Sequence, residues 1–317
     1  MRTFTCGHCG ADAVFENVSC VRCGHPHAFD PGPNELVTDD ARDRCANAGL
    51  IGCNWVAAEA GGLCASCALT RTRPADADAE GLRELGDAER AKRRLLFELH
   101  ELGLSPDGLT FDLLSSQTEP VTTGHADGLI TLDLAEADDA HREEMRTQMG
   151  ERYRTLLGHF RHEVGHFYFE VLCPDEAAKD RARPLFGDER EDYSAAMDRH
   201  YETGPPADWP ERFVSAYATM HPFEDWAETF AHYLHIRDTL QTAGAYRVMV
   251  GHDAPGAVPA ESGFDRLVDA WLPLTYALNA LNRSMGADDA YPFVLTPPVI
   301  EKLSFVHDLI RGRRPDA

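Results

Sequence analysis

The stretch "HFRHEVGHFY", residues 159–168, places His162 and His166 four positions apart with Glu163 beside the first. On a helix, residues i and i+4 share a face, so both imidazoles can grip one ion while Glu163 reaches a water next to it. That is the donor set of metal-assisted hydrolysis, with His162 and His166 as ligands of a catalytic zinc and Glu163 as general base. Gly165 keeps the same face uncrowded. In a chain with 15 histidines the H-E-x-x-H pattern alone is only moderately specific. The rest of the chain must supply a third ligand, a strand to hold substrate and a donor for an oxyanion.

The metzincin continuation fails as a source of the third ligand, because Phe169 and Leu172 occupy its glycine and histidine positions. Cys173 lies near the end of the same helix and is badly placed to turn back. A glutamate from a later helix remains, and two stretches can supply it. "FGDEREDYSAAM" offers Glu189 or Glu191. "SAYATMHPFEDWAETFAHYLHI", residues 215–236, offers Glu224 and Glu228 on a helix whose Trp226, Phe230, Tyr233 and Leu234 indicate burial. A buried carboxylate needs a cation or a donor, which favours Glu224 as ligand and Glu228 as the acceptor that fixes a ligand histidine. His221, directly before Pro222, is a candidate donor to substrate. His232 and His235 read as packing-layer hydrogen-bonders, and Asp192 and Tyr193 as helix-start and core residues.

Eight of the nine cysteines fall within residues 6–67. Without an address to an oxidising compartment, thiolate metal ligation is a better reading than disulfides. "CGHCG" and "CVRCG" present Cys6, Cys9, Cys20 and Cys23, with Gly10 and Gly24 where each chain must turn. Cys45, Cys53, Cys64 and Cys67 form a second set that ends in "CASC". Each set suits one structural zinc with four thiolates, interleaved pairing between the sets being the alternative. His8, His25 and His27 are spare, since four sulfurs already complete a tetrahedron.

Residues 1–72 read as the cysteine-rich domain, 73–84 as a charged linker and 85–317 as the catalytic domain. Apolar spacing predicts a long helix from about Asp138 to Cys173 through Met145, Met149, Tyr153, Leu156, Phe160, Val164, Phe167 and Val171. Further helices are expected over 189–202, 211–220, 224–243, 264–282 and 298–311. "GLTFDLLS" and "DGLITLDL" alternate as strands, and the second, at 128–134, is a candidate edge strand for substrate backbone. The fold class is therefore α+β, mostly helical with a small sheet.

Charge narrows the partners. The formal net charge is −23, and residues 1–73 carry only six basic against eight acidic groups, leaving 24 against 45 for the remainder. Such a field repels nucleic acid and anionic membrane. No stretch approaches the roughly 18 apolar residues of a membrane-spanning helix, and a cytoplasmic location is expected.

The quoted segments "HEVGHFYFE", "FGDEREDY", "SAYATMHPFEDWAETFAHYLH" and the cysteine-rich start together resemble the bacterial zinc-binding metallopeptidase family with an N-terminal zinc-ribbon domain. The resemblance covers almost the whole chain. It implies a zincin-like peptidase domain behind a zinc ribbon, one catalytic and two structural zinc ions, and a peptide or protein substrate. The span Tyr217 to Glu228 is also similar to the lethal-factor-like gluzincins. That similarity implies Glu224 as zinc ligand and Tyr217 as the group facing the reacting carbonyl oxygen. The 57 residues between His166 and Glu224 exceed that branch's spacing. Two other readings stand beside the peptidase: a non-catalytic adaptor that keeps the zinc-stabilised shell, with the ribbon as a protein-partner surface, and a hydrolase of a non-peptide amide.

Overall fold

The computed structural model describes all residues except 39–42, 117–119, 139–141, 144–153, 252–262 and 314–317. Two compact units divide the chain, one of residues 1–101 and 105–160, the other of 102–104 and 161–317.

The first unit begins with two small antiparallel hairpins, β1 (Phe4–Thr5) with β2 (Asp12–Ala13) and β3 (Ala28–Asp30) with β4 (Glu35–Val37). A short helix α1 (Ala48–Ile51) follows, then strand β5 (Thr70–Thr72) and the long helix α2 (Ala79–Glu101). The hairpins are too short to bury a core alone, and aromatic rings fill the space between them. Phe15 lies 4.9 Å from Phe29 and 5.1 Å from Phe97 of α2, and Phe29 lies 5.1 Å from Trp55. Helix α2 therefore completes the cysteine-rich core. It starts inside the stretch 73–84 that reads as linker, and it belongs to this unit although the sequence places it at the head of 85–317.

A four-stranded sheet of order β5-β6-β8-β7 closes this unit, with β6 at Thr110–Leu114, β7 at Gly124–Ala126 and β8 at Leu129–Asp133. Both expected strands are present, and Ile130, Leu132 and Leu134 are fully buried on one face. Strand β8 is not an edge, however. It pairs parallel with β6 along its length and antiparallel with β7 over Leu129–Thr131, so along that stretch its backbone is engaged on both sides and cannot take a substrate strand. The outer strands are β5 and the three-residue β7, the latter joined to β8 by Asp127 and Gly128, both at positive φ as a type I′ hairpin turn requires.

Helix α3 runs from Leu156 to Leu172, later than the sequence reading begins it. Met145, Met149 and Tyr153 lie outside the described residues. Arg154 and Thr155 are not helical: the Arg154 guanidinium is held 2.5 Å from Glu136, and the Thr155 hydroxyl caps the helix by accepting from the Gly158 amide at 3.0 Å.

The second unit is helical: α4 (Glu176–Phe186), α5 (Tyr193–Thr203), α6 (Trp209–Arg212), α7 (Pro222–Ala245), α8 (Phe264–Ser284) and α9 (Pro297–Arg311). Aromatic side chains of α3 and α7 form its centre. The Tyr168 and Phe230 rings stack at 5.4 Å, and the Trp226 ring lies 5.3 Å from Phe169 and 5.5 Å from Phe186. Two buried ion pairs tie α7 to its neighbours, Asp238 to Arg161 at 3.0 Å and Asp225 to Lys302 at 2.6 Å. Among the described residues no helix is long and apolar enough to cross a membrane.

Candidate metal centres and active site

The cysteines assemble as two sequential groups, Cys6, Cys9, Cys20 and Cys23, then Cys45, Cys53, Cys64 and Cys67. In the first, the sulfurs of Cys6 and Cys23 are 3.8 Å apart and those of Cys9 and Cys20 are 3.7 Å apart. In the second, Cys53 lies 3.6 Å from Cys64 and 3.7 Å from Cys67. A tetrahedral zinc with Zn–S of about 2.3 Å has sulfur–sulfur edges of about 3.8 Å, so the donors fit that ion. Gly10 and Gly24 take φ of +68° and +71°, and their amides donate back to the Cys6 and Cys20 carbonyls at 2.8 and 2.9 Å. The two C-x-x-C knuckles thus repeat one turn geometry. In the second group the amides of Cys64 and Cys67 donate to the sulfurs of Cys45 and Cys64, each at 3.3 Å. The histidines stay outside both groups: the His8 and His25 rings stack at 4.5 Å, and His25 Nε2 donates to the Thr38 carbonyl at 2.8 Å.

A third cluster forms where α3 meets α7. Their close approach depends on Gly165, because a Cβ there would lie 3.0 Å from the Ala227 Cα and 3.2 Å from the Ala227 carbonyl oxygen. The Trp226 indole donates to the Gly165 carbonyl at 2.8 Å and holds the crossing. As a result His162 Nε2 lies 2.9 Å from Glu224 Oε2 and 3.3 Å from His166 Nε2, while Glu224 Oε1 is 3.5 Å from His166 Nε2. One donor atom from each of the three residues fits within 4.8 Å of the others. On the far side of the His162 ring, Nδ1 donates to Glu228 Oε1 at 2.8 Å, which turns Nε2 inward. Burial opposes ionisation of Glu228, and the His162 ring, with a smaller contribution from Ser215, holds its carboxyl below the usual range.

The electrostatics favour a cation at this point. Glu224 is almost fully buried, and although burial opposes ionisation, the His162 and His166 rings hold its carboxyl well below the usual range. Burial likewise opposes charge on His162, yet the Glu224 and Glu228 carboxylates raise its pKa well above the ordinary imidazole value. One buried acid and two imidazoles, with a half-buried second acid behind the first ring, are the donor set of a divalent ion with three protein ligands, and zinc fits it. Glu163 shares this environment. Burial raises its pKa, Glu224 and Glu228 add to the rise, and His162 and His166 offset it.

The rival ligands are occupied elsewhere. Glu189 is bound by the Arg183 guanidinium at 2.6 and 3.0 Å, and Glu191 is exposed. Phe169 and Leu172 are core residues, and Cys173 is buried with its thiol pushed up to about 11 by that burial. His221 has both nitrogens engaged: Nδ1 accepts from the Phe223 amide at 3.1 Å, capping α7, and Nε2 donates to the Glu191 carbonyl at 3.1 Å. It fixes the approach to α7 instead of facing substrate. His232 bonds the Tyr291 hydroxyl at 2.8 Å within the packing layer.

Two tyrosines border the cluster. Tyr217 opens a short 3-10 turn just before α7, and its ring centroid is 5.9 Å from that of His162. Tyr193 corrects its sequence reading: it does start α5 behind the Asp192 cap, but it is no core residue. Its hydroxyl donates to Glu224 Oε1 at 2.9 Å and meets the Tyr217 hydroxyl. Periodicity could not reveal this, because the contact joins residues 31 apart on different helices.

Residues 82–309 match the family described as "putative zinc-binding metallo-peptidase", and residues 3–78 match a zinc-ribbon domain. The chain belongs to this metallopeptidase family. A protein of Mycobacterium bovis and two of Mycobacterium tuberculosis, all described as uncharacterised, are each 52% identical to this metallopeptidase-family chain over 333 positions, covering all of it and 97% of each relative. No solved structure matches.

Proposed function

We propose that the protein is a gluzincin-type zinc peptidase that hydrolyses peptide bonds with a water molecule as nucleophile. The observation that carries this reading is the convergence of His162, His166 and Glu224 with Glu228 behind the first ring. These three ligands would hold the catalytic zinc, and the two cysteine groups would hold structural zinc ions. Bound there, zinc would supply Lewis acidity and lower the pKa of water towards about 7. Glu163, raised by burial, is suited to accept a proton from that water and deliver it to the departing nitrogen. Tyr217 would donate its hydroxyl to the carbonyl oxygen as negative charge develops, a contribution on the order of 3 kcal/mol for one such donor. Burial comes first among the causes that raise the Tyr217 pKa, which keeps the hydroxyl protonated as this role requires. The reading keeps the protein in a reducing cytoplasm, where the thiols stay available to metal, with peptide or protein substrates and the ribbon as a surface for a protein partner.

The deciding comparison uses Glu163→Gln. A protein that retains wild-type zinc content but no longer cleaves peptides supports the peptidase. If wild type and variant show the same biological output, the chain acts as an adaptor and the hydrolytic reading fails.

A further inference from the structure

Helix α5 exposes more apolar surface than a solvated helix requires. Tyr193, Met197 and Tyr201 have 42%, 36% and 67% of their surface exposed and recur every fourth residue. With His200 they span an arc of about 100° on a 3.6-residue helix. The polar residues Asp198, Arg199 and Glu202 lie on the opposite side, and Ala196, at the margin of the stripe, faces the core. The stripe is continuous with the metal cluster. It begins at Tyr193, whose hydroxyl is on Glu224, and continues beside Tyr217, whose ring centroid is 6.2 Å from that of His200. Tyr201 belongs to the same neighbourhood, contributing to the raised pKa of the Tyr217 hydroxyl after burial, Glu224 and Tyr193.

From Tyr193 to Tyr201 the helix rises about 12 Å, the reach of three or four residues of extended chain. We infer that the exposed face of α5 is a wall of the substrate cleft, and that the preferred substrates are peptides carrying a bulky apolar side chain within a few residues of the scissile bond. This inference rests on the peptidase reading and deepens it. The occupant is a substrate segment and not a separate docking protein, because the stripe starts at Tyr193, whose hydroxyl is hydrogen-bonded to Glu224 of the donor cluster.

The test uses full-length zinc-loaded protein and a mixture of tryptic casein peptides, with cleavage positions read by mass spectrometry. Wild type is expected to cut at least tenfold faster where Leu, Met, Phe or Tyr lies near the bond than where Asp or Lys does. The exposed substitutions Met197→Asp and Tyr201→Asp should erase that preference without lowering zinc content. In a second arm, fluorescein-labelled decapeptides with central Leu, Phe, Ser, Asp or Lys are titrated against the Glu163→Gln protein, and the apolar peptides should bind at least tenfold tighter until Met197→Asp is added. Cleavage without apolar preference, or a preference that survives both substitutions, overturns the wall while leaving the peptidase intact. Absence of any cleavage overturns the peptidase, and the binding arm then decides the wall by itself.

Discussion

The His162 ring carries the most consequential contact of the molecule, because its two nitrogens face different acids. Nδ1 on Glu228 is the orienting contact, and such partners commonly change metal affinity 10- to 100-fold when removed. Glu228→Ala should therefore weaken catalytic zinc by that factor in a chelator competition, while the two four-sulfur sites hold their metal unchanged. His232 gives a pH prediction. Burial lowers its pKa from 6.5 to about 4, so between those values the unfolded chain binds a proton that the folded chain refuses. Stability should fall as pH drops from about 6.5 towards 4, by about 3 kcal/mol in total if the full shift is realised. Urea unfolding of wild type and His232→Gln at pH 7 and pH 5 checks the sign: the wild-type loss should be the larger.

At the scale of elements, the crossing of α3 and α7 determines whether the cluster exists. Residue 165 has no room for a side chain against the Ala227 backbone, which is part of a packed helix and cannot swing aside. Gly165→Ala should push the helices apart at a cost of about 1–3 kcal/mol, visible as a lower thermal midpoint, and should weaken catalytic zinc together with activity. The same substitution should leave the cysteine-bound zinc in place. The inner position of β8 is also an element-level result. Alternation showed which of its residues are buried, but pairing on both sides closes Leu129–Thr131 to a substrate backbone.

At the scale of the whole molecule, the proposed peptidase with two structural sites would carry three ions, one for each donor group. Metal analysis should find about three zincs per chain, falling to about two in His162→Ala, because each ligand set is independent of the others. Loss of the second cysteine site through Cys53→Ser should instead lower thermal stability, since all four of its sulfurs are buried and Cys67 lies 3.9 Å from Glu89 of α2.

Local spacing determined much of this. The i, i+4 histidines, the paired C-x-x-C knuckles, the alternating strands and the helices at 193–203, 222–245, 264–284 and 297–311 all depend on near neighbours in the chain, and the aromatic neighbours of Glu224 already indicated that its carboxylate is buried; the helix expected over 211–220 is instead one turn at Trp209–Arg212, a non-helical link and a 3-10 turn at Tyr217–Thr219. Tertiary structure decided what depends on distant segments. Close helix packing at Gly165 and Ala227 brought Glu224, not Glu189 or Glu191, to the two imidazoles, and it set Glu228 behind His162. It also turned Tyr193 out of the expected core and onto Glu224. Hydrogen bonds and close packing act over a few ångströms, so which acid meets which ring depends on how the helices cross, and one-dimensional spacing does not encode that crossing.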